Sequence, residues 1–497
     1  MKLNIINKST IVIAALLGSL SFSCTKTFTG DENVNPNVPA SPNTKFLFGS
    51  AVVGTRGVFN GAAGLLYTQQ MAEFIYTNES RYFNTQYSYN AIYAGPLMDI
   101  QRIIDLNTNP ETKGDKEVLD NGTNANQIGY ARILKAFLML HITDRWGAVP
   151  YTEAFKGTAN TTPKFDTQKF IYNDLLKELK EAPTQIVAAM PNDALFDGDA
   201  NKWKKFANSL RAIVALRMAK TEDAAIAQTA FNEAVTAGIM TANSDNAIFK
   251  YLANSTYESP WYTNYVRQGR IDYGASKTII DNEMVVHNDP RLPVYSRTVG
   301  GVYHGIPYGV NVQYAAGVDG ALLGRAIYAQ NFPLQLVTYS QMCFTMAEAA
   351  LRGWITGGDA TVISWYIKGI DASMDQWSAV STNPIVSITA AQKTAYEAQA
   401  AIVIDPLQTF DQKLQRIQTQ KWLNFYMNNG YEAWTEWRRT GYPVLAPAPD
   451  AVNDDKKIPR RQCYPQTGND LNKANYDAAV AAMGGDNMLV RVWWDIN

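Results

Sequence analysis

Stretches in which apolar residues recur at helical spacing dominate the sequence. Between residues 126 and 146 the apolar side chains cover nearly the whole circumference of a helix, including Ile133, Phe137 and Leu140. A helix that is apolar on most sides is buried among other helices. Between residues 202 and 218 the apolar residues form a single stripe, and further amphipathic helices are predicted at 167–181, 332–354, 360–374 and 407–428. Because the chain has no clean repeat period, the pattern predicts a mostly α-helical fold of degenerate helical-hairpin repeats.

A long irregular segment interrupts this helical pattern between residues 257 and 320. It is dense in Gly, Pro and Tyr and has almost no helical period, and a second irregular segment runs from 442 to 475. Loops on a rigid scaffold are where binding residues usually lie. We therefore expect a helical frame that cradles an irregular, loop-rich half within a single large domain.

The first 43 residues are expected to export and anchor the chain. An apolar run from 11 to 20 is too short to span a bilayer but has the length of a signal-peptide core. It ends in LSFSC, where Ser23 precedes Cys24 as in a bacterial lipobox. We expect residues 1–23 to be a signal peptide and Cys24 to be diacylated, although ordinary cleavage beside an incidental cysteine is the alternative. Residues 24–43 are rich in Asn, Pro, Thr and Ser, which predicts a flexible tether to a folded domain over 44–497.

The composition argues against several functional classes. The chain has 44 basic and 45 acidic side chains and no basic stripe, which argues against nucleic-acid binding. Its three histidines, His141, His287 and His304, lack zinc-type spacing, and we expect His141 to be a core residue on a buried helix. No phosphate-binding glycine loop and no Gly-x-Ser-x-Gly elbow is present. We therefore predict no metal, no cofactor and no catalytic residues.

Tyrosine and tryptophan are frequent, with 27 and 11 copies. Each combines a flat apolar face with a polar tip, which suits the binding of carbohydrate or peptide. Three irregular stretches place such rings near polar side chains, as binding pockets do. The candidate ligand contacts are Tyr76, Asn78, Arg81, Tyr82, Phe83 and Tyr87 in the first stretch, Trp261, Tyr262 and Tyr265 in the second, and Tyr303 and Tyr308 in the third. The alternative for each stretch is that its rings only fasten a loop to the helices.

Other prominent side chains are predicted to be structural. Trp434, Trp437, Arg438 and Arg439 follow an apolar helix and precede a Gly-Tyr-Pro turn, which favours core packing with hydrogen-bonded guanidinium groups. Trp146 and the final pair at 493–494 are interpreted in the same way. Cys343 and Cys463 could form a disulfide in an exported protein, but two separate buried thiols are favoured.

A set of motifs spread over nearly the whole mature chain resembles the SusD/RagB family of nutrient-binding outer-membrane lipoproteins of the Bacteroidetes. Each motif alone is weak, whereas their order along the chain is specific. They are DRWGAVPY (144–151), NDPRLP (288–293), TYSQM (338–342), MAEAA (346–350), QKWL (420–423), GYEAW (430–434), WRRTGYP (437–443), IPRR (458–461) and WWD (493–495). The Gln462–Cys463 pair after the last arginine departs from the family pattern.

The resemblance implies tetratricopeptide-like hairpins and a role without catalysis. Proteins of this family catch an oligomeric nutrient at the cell exterior and act as a lid over a TonB-dependent, SusC-type outer-membrane transporter. A glycan is the expected ligand, because many Tyr residues and a neutral net charge suit uncharged sugars. A peptide ligand, a surface glycoside hydrolase or lyase, and an assembly protein without any ligand remain as alternatives.

Overall fold

The computed structural model describes residues 42–59, 61–381 and 385–496, and it is built mainly of helices. The predicted signal peptide, Cys24 and the tether as far as residue 41 lie outside these residues. Its helices of eight or more residues are α1 (Thr44–Gly54), α2 (Met98–Thr108), α3 (Asn124–Trp146), α4 (Gln168–Gln185), α5 (Ala200–Arg217), α6 (Ala224–Ala237), α7 (Tyr339–Leu351), α8 (Gly358–Val380), α9 (Ala390–Glu397), α10 (Phe410–Asn424), α11 (Gly430–Thr440) and α12 (Lys473–Met483). No helix within the described residues is both long and apolar enough to cross a membrane.

Helices that are neighbours in sequence pack side by side. This holds for α2 with α3, α3 with α4, α4 with α5, α5 with α6, and α7 with α8, while α10 packs on α7 and α11 on α10. Side-chain caps define where several of them begin: Thr409 and Gln412 form a capping box at α10, and Asp199 accepts hydrogen bonds from the first backbone amides of α5. Helix α3 contains the segment 126–146 that is apolar on most sides, and it is buried along most of its length as predicted.

Short antiparallel strand pairs fasten the irregular segments to the helical frame. The pairs are β1 (Met71–Glu73) with β5 (Tyr273–Ala275), β2 (Val149–Pro150) with β3 (Phe165–Asp166), β4 (Ala247–Phe249) with β8 (Leu334–Val337), and β6 (Thr298–Val299) with β7 (Val302–Tyr303). One helix prediction is wrong in part, because residues 334–337 form β8 and the helix predicted at 332–354 begins only at Tyr339. The extended conformation gains hydrogen bonds from β4, which lies far away in sequence.

A buried ionic network joins α3, α5, α7, α10 and α11. Arg217 contacts both Asp144 and Glu432, and Arg439 binds Glu348 on α7 and Glu436 on its own helix. Charges taken out of water must be paired in this way to be tolerated. The network holds α11 against the centre of the helical frame.

The tryptophan and arginine cluster of α11 is structural, as predicted. Trp434 is fully buried, and its indole N–H donates to the Pro459 carbonyl at 2.7 Å. The Arg438 guanidinium lies 3.7 Å from the Trp434 ring centroid and donates to the carbonyls of Asp144 and Arg460. The interpretation of this cluster as core with satisfied guanidinium donors is therefore confirmed.

The remaining thiols and the helical histidine are also interior. Cys343 and Cys463 are both buried and free, which confirms the expectation of two separate thiols. His141 packs edge-on against Phe59 and Phe137, and burial lowers its pKa to about 3.

Candidate functional site

Backbone hydrogen bonds around β1 and β5 join the ends of the three stretches that were predicted to bind ligand. Strand β1 pairs with β5, so that Glu73 lies opposite Tyr273. Beyond the strand, the Phe74 amide donates to the Asp272 carbonyl, and the Tyr314 amide donates to the Phe74 carbonyl, both at 2.8 Å. Backbone hydrogen bonds therefore bring together stretches that are more than 150 residues apart in sequence.

Three of the candidate side chains, which were selected from irregular stretches as ligand contacts, are buried. Tyr82 is fully buried, and its hydroxyl accepts a hydrogen bond from the Ala448 amide at 2.9 Å. Tyr265 donates to the Tyr273 carbonyl and is 8% exposed. Tyr308, also 8% exposed, lies in the same apolar cluster as Tyr82. Tyr82 and Tyr265 fasten loops to the frame, as the alternative interpretation held, because a phenol can bury its face while its hydroxyl finds a backbone partner.

Other candidates lie at the surface. Tyr76 is 63% exposed and Phe83 is 55% exposed. Arg81 donates to the exposed Asn78 at 2.9 Å, so these two side chains form a pair. Four further candidates are half-buried, namely Tyr87, Trp261, Tyr262 and Tyr303.

Next to this meeting point lies a cleft of about 180 Å³, which we call the aromatic cleft. Its aromatic lining consists of Phe59, Tyr251, Trp261, Tyr273, Phe332 and Tyr431. Its other lining residues are Arg56, Gly61, Ala62, Gly64, Leu65, Ser259, Pro260, Asn264, Pro333, Leu334, Met427, Asn428 and Gly430. Trp261 and Tyr273 meet edge to face with ring centroids 6.4 Å apart. Exposed ring faces beside polar side chains can stack on a ligand and fix its orientation.

Two polar side chains in the lining lack partners. Ser259 is fully buried and Asn428 is 5% exposed. Neither the Ser259 hydroxyl nor either polar atom of the Asn428 carboxamide has a hydrogen-bond partner in the part of the chain that the structure describes. Buried polar atoms are almost always hydrogen-bonded, so these two side chains are exceptions in this fold.

Close backbone packing shapes the floor of the cleft. Gly64 lies against Gly430 and Tyr431, and a Cβ atom at Gly64 would come within 2.6 Å of the Gly430 carbonyl oxygen. The ring of Tyr431 is covered by Arg145, whose guanidinium lies 3.9 Å from the ring centroid and donates to the phenol oxygen at 3.2 Å. The helix 63–67 and the start of α11 therefore form one rigid surface under the site.

The aromatic cleft contains little that could perform hydrolysis. Among its described lining residues there is no aspartate or glutamate. Glu258 precedes the lining residue Ser259 in sequence. Nε and Nη2 of Arg267 both donate to its carboxylate at 2.6 Å, and this pairing lowers the pKa of Glu258 to about 2. No group of three or more His, Cys, Asp or Glu residues that could hold a metal ion occurs in the described residues.

Comparison with known proteins identifies the family. A family model described as "Starch-binding associating with outer membrane" matches residues 38–465. The chain belongs to the SusD-like family. The predicted fold, of tetratricopeptide-like helical hairpins with an irregular half, is confirmed.

Solved structures of SusD-like proteins superpose over nearly the whole chain. A chitin-binding protein is 26% identical with a TM-score of 0.78, covering 92% of this chain and 100% of the other. A chitin-binding SusD homologue from Flavobacterium johnsoniae is 25% identical with a TM-score of 0.74, covering 91% and 99%. A SusD homologue from Bacteroides fragilis shares the fold at 22% identity and a TM-score of 0.75, covering 91% and 99%. A search of curated proteins gave no match.

Trp261 is the sequence candidate that lines the aromatic cleft of this SusD-like protein. Sequence reasoning missed Arg56, which lies in the short 3-10 helix 55–59, and Tyr251, which follows β4, because each is a single residue without a motif. It also missed Ser259 and Asn428, because the lack of a hydrogen-bond partner is visible only in three dimensions. Tyr431 lies in the GYEAW motif, which marked the family and gave no sign of a cleft.

A second concave surface, which we call the Phe83 cleft, is lined in part by the first stretch. It has a volume of about 630 Å³ and is lined by Tyr82, Phe83 and Asn84 together with residues 452–455 and 487–490. Phe83 is its exposed ring, and Asp454 and Asp455 add charge. This SusD-like chain therefore offers two concave surfaces that each contain at least one candidate residue.

Proposed function

We propose that this SusD-like protein binds a neutral oligosaccharide in the aromatic cleft and does not cleave it. The observation that carries the proposal is the cluster of aromatic rings in the lining, led by Trp261 and Tyr273, beside the half-buried polar side chains of Arg56 and Asn264. Sugars have apolar C–H faces that stack on aromatic rings and hydroxyls that need directed hydrogen bonds. One surface of this cleft supplies both kinds of contact.

The chemistry of the lining favours a glycan over a charged peptide. Arg56 is the one charged side chain among the described lining residues. The description of two neighbours, 25% and 26% identical, as chitin-binding supports a carbohydrate ligand. Binding without turnover is supported by a lining without carboxylates, because glycoside hydrolysis usually uses a pair of them.

Delivery to a transporter completes the proposal. We infer that Cys24 carries the lipid anchor in the outer membrane, that the domain faces the cell exterior, and that it closes as a lid over a TonB-dependent SusC-type transporter. The lipobox-like sequence before Cys24 and the outer-membrane description of the family support this arrangement. Two acyl chains are sufficient for stable anchoring, whereas one chain is marginal.

Calorimetric titration tests the ligand. The full-length protein is titrated with maltoheptaose, cellohexaose, chitohexaose and a neutral hexapeptide, and we expect at least one oligosaccharide to bind. Trp261→Ala should weaken that binding about tenfold, because a ring that covers roughly 60 Å² of sugar at about 25 cal/mol per Å² contributes about 1.5 kcal/mol.

Trp365 provides a matched control. It is also a half-buried tryptophan, but it lies on α8 and outside the lining of the aromatic cleft. Trp365→Ala should leave the affinity unchanged. Binding of the peptide alone, or equal losses in both variants, contradicts the proposed site, and shortened oligosaccharide products contradict binding without turnover.

Anchoring and partnership have a separate test. Cys24→Ser should release the protein from the membrane fraction and prevent labelling by a palmitate analogue. Purification of the unaltered protein in detergent should recover a large outer-membrane transporter. Unlabelled protein, or purification without any transporter, contradicts this part of the proposal.

A further inference from the structure

Trp261 lies on an irregular segment from Glu258 to Arg267, which we call the Trp261 loop. Its backbone forms a three-residue helical turn, Pro260–Tyr262, followed by a single π-helical turn, Thr263–Arg267. Helical segments as short as these are not stable on their own. The position of the Trp261 ring in the aromatic cleft therefore depends on contacts that hold the loop from outside its backbone.

One buried carboxylate gathers these contacts. Glu258 is 8% exposed, and Arg267 donates to it through Nε and Nη2, each at 2.6 Å. The Thr263 hydroxyl donates to the same carboxylate at 2.9 Å, and the Gln330 carboxamide donates at 3.0 Å. Charge-assisted hydrogen bonds to a buried carboxylate are among the stronger ones in proteins. Glu258 therefore joins the start of the loop to its middle and to its end.

Gln330 connects the loop to the rest of the fold. It lies in the segment before β8, and its backbone carbonyl accepts from the Ser259 amide at 2.9 Å. Its side chain and its backbone thus hold two successive residues at the start of the Trp261 loop. Tyr265 fixes the later part, since it donates to the Tyr273 carbonyl and stacks on Tyr328 with ring centroids 5.2 Å apart.

The Trp261 ring itself is held less firmly than the loop that carries it. It is half-buried, and it meets Tyr273 only edge to face, with ring centroids 6.4 Å apart. A ring that must be ordered when the ligand arrives contributes less to affinity than one that is already in place. The hydrogen bonds of Glu258 supply that order before binding.

We propose that Glu258 is a positioning residue, which holds Trp261 in the orientation that stacks on the oligosaccharide. Glu258 is not among the lining residues of the aromatic cleft, so it acts through the Trp261 loop and not by touching the ligand. The inference rests on the proposed function and adds a residue on which the affinity of the site depends.

Calorimetric titration with the oligosaccharide that binds most tightly measures the effect. Glu258→Ala and Arg267→Ala should each weaken binding about fivefold, because the loop must then be ordered by the ligand. Glu258→Gln should restore part of the loss, since a carboxamide oxygen still accepts from Arg267. Arg270→Ala is the matched control: its bridge to Asp272 also spans 2.6 Å, but Arg270 lies beyond the loop, is 58% exposed and is outside the cleft lining.

A double-mutant cycle distinguishes positioning from a general effect on the fold. In a protein that already carries Trp261→Ala, the further change Glu258→Ala should alter affinity less than about twofold, because the ring that Glu258 positions is absent. A full fivefold loss in that background overturns the inference, because Glu258 would then act independently of Trp261.

Hydrogen–deuterium exchange of the ligand-free protein measures the loop directly. Glu258→Ala should speed exchange of the amides at 260–267 at least about tenfold and leave those of α5 unchanged. Unchanged exchange in the loop, or unchanged affinity in both Glu258→Ala and Arg267→Ala, overturns the inference while oligosaccharide binding stands. If Glu258→Ala unfolds, Arg267→Ala decides, since the Arg267 side chain is 46% exposed. Failure of the unaltered protein to bind any oligosaccharide overturns the proposed function, and this inference with it.

Discussion

Replacing Glu348 with alanine should destabilise the fold by about 3 kcal/mol. Glu348 lies on α7, is fully buried and accepts four hydrogen bonds. Two come from Arg439 at 2.7 and 2.5 Å, one from Gln418 at 2.7 Å and one from Arg352 at 2.8 Å. Burial alone would raise the pKa of Glu348, but Arg439 and Arg352 outweigh it and lower the pKa to about 2.

The magnitude follows from what the substitution leaves behind. Removing one partner of a buried ion pair costs roughly 3–5 kcal/mol, because the other charge loses its compensation. Arg439 keeps Glu436, to which it donates at 2.7 and 3.2 Å, so the loss lies at the lower end of that range. Arg352 has 12% side-chain exposure and can turn to water.

Urea unfolding followed by tryptophan fluorescence measures this difference. Asp477→Ala is the matched control, because the Lys473–Asp477 bridge spans 2.7 Å between side chains that are 69% and 53% exposed. Exposed pairs of this kind contribute little, so the control should keep the unfolding midpoint of the unaltered protein. A loss below about 1 kcal/mol for Glu348→Ala, at an unchanged urea dependence, would refute the reasoning about the buried network.

Three further outcomes are expected. Gly64→Ala should cost about 1–3 kcal/mol of stability and abolish oligosaccharide binding, because a methyl group there collides with the Gly430 backbone. Urea unfolding measures the loss of stability and calorimetric titration measures the loss of binding. A variant with full affinity would contradict the close packing. Burial raises the pKa of Glu283 to about 7 in the folded protein, so the unfolded chain releases this proton first and the free energy of unfolding falls as pH rises from about 4.5 to 7. Glu283→Gln should remove up to about 3 kcal/mol of this pH dependence. Urea unfolding of both proteins at pH 5 and pH 7.5 measures the difference, and an equal change in stability for both proteins would contradict the prediction. Cys343 should resist iodoacetamide at pH 8 until the protein unfolds, because burial raises its thiol pKa to about 12, and rapid labelling of the native protein in a mass spectrum would contradict this.

The helical frame was predictable because its signal is local. The apolar circumference of α3 and the apolar stripe of α5 lie in the sequence itself, and both helices formed within two residues of their predicted starts. The residues before Tyr339 could not be assigned in this way, because β8 depends on pairing with β4, which lies more than 80 residues earlier. Strand formation there is a tertiary effect.

The candidate site was only partly predictable. Aromatic density located the three stretches that meet around β1 and β5, but it did not distinguish the buried ring of Tyr82 from the exposed ring of Phe83 next to it. Adjacent residues in an irregular loop have no periodicity that assigns them to a face. Arg56 and Tyr251 gave no signal at all, since only the folded chain brings them into the lining of the aromatic cleft.

A crystal structure of the protein soaked with the oligosaccharide that binds most tightly tests the location of the site most directly. We expect a sugar ring stacked on Trp261 within the aromatic cleft. Sugar density confined to the Phe83 cleft, with the aromatic cleft filled only by water, would contradict the assignment.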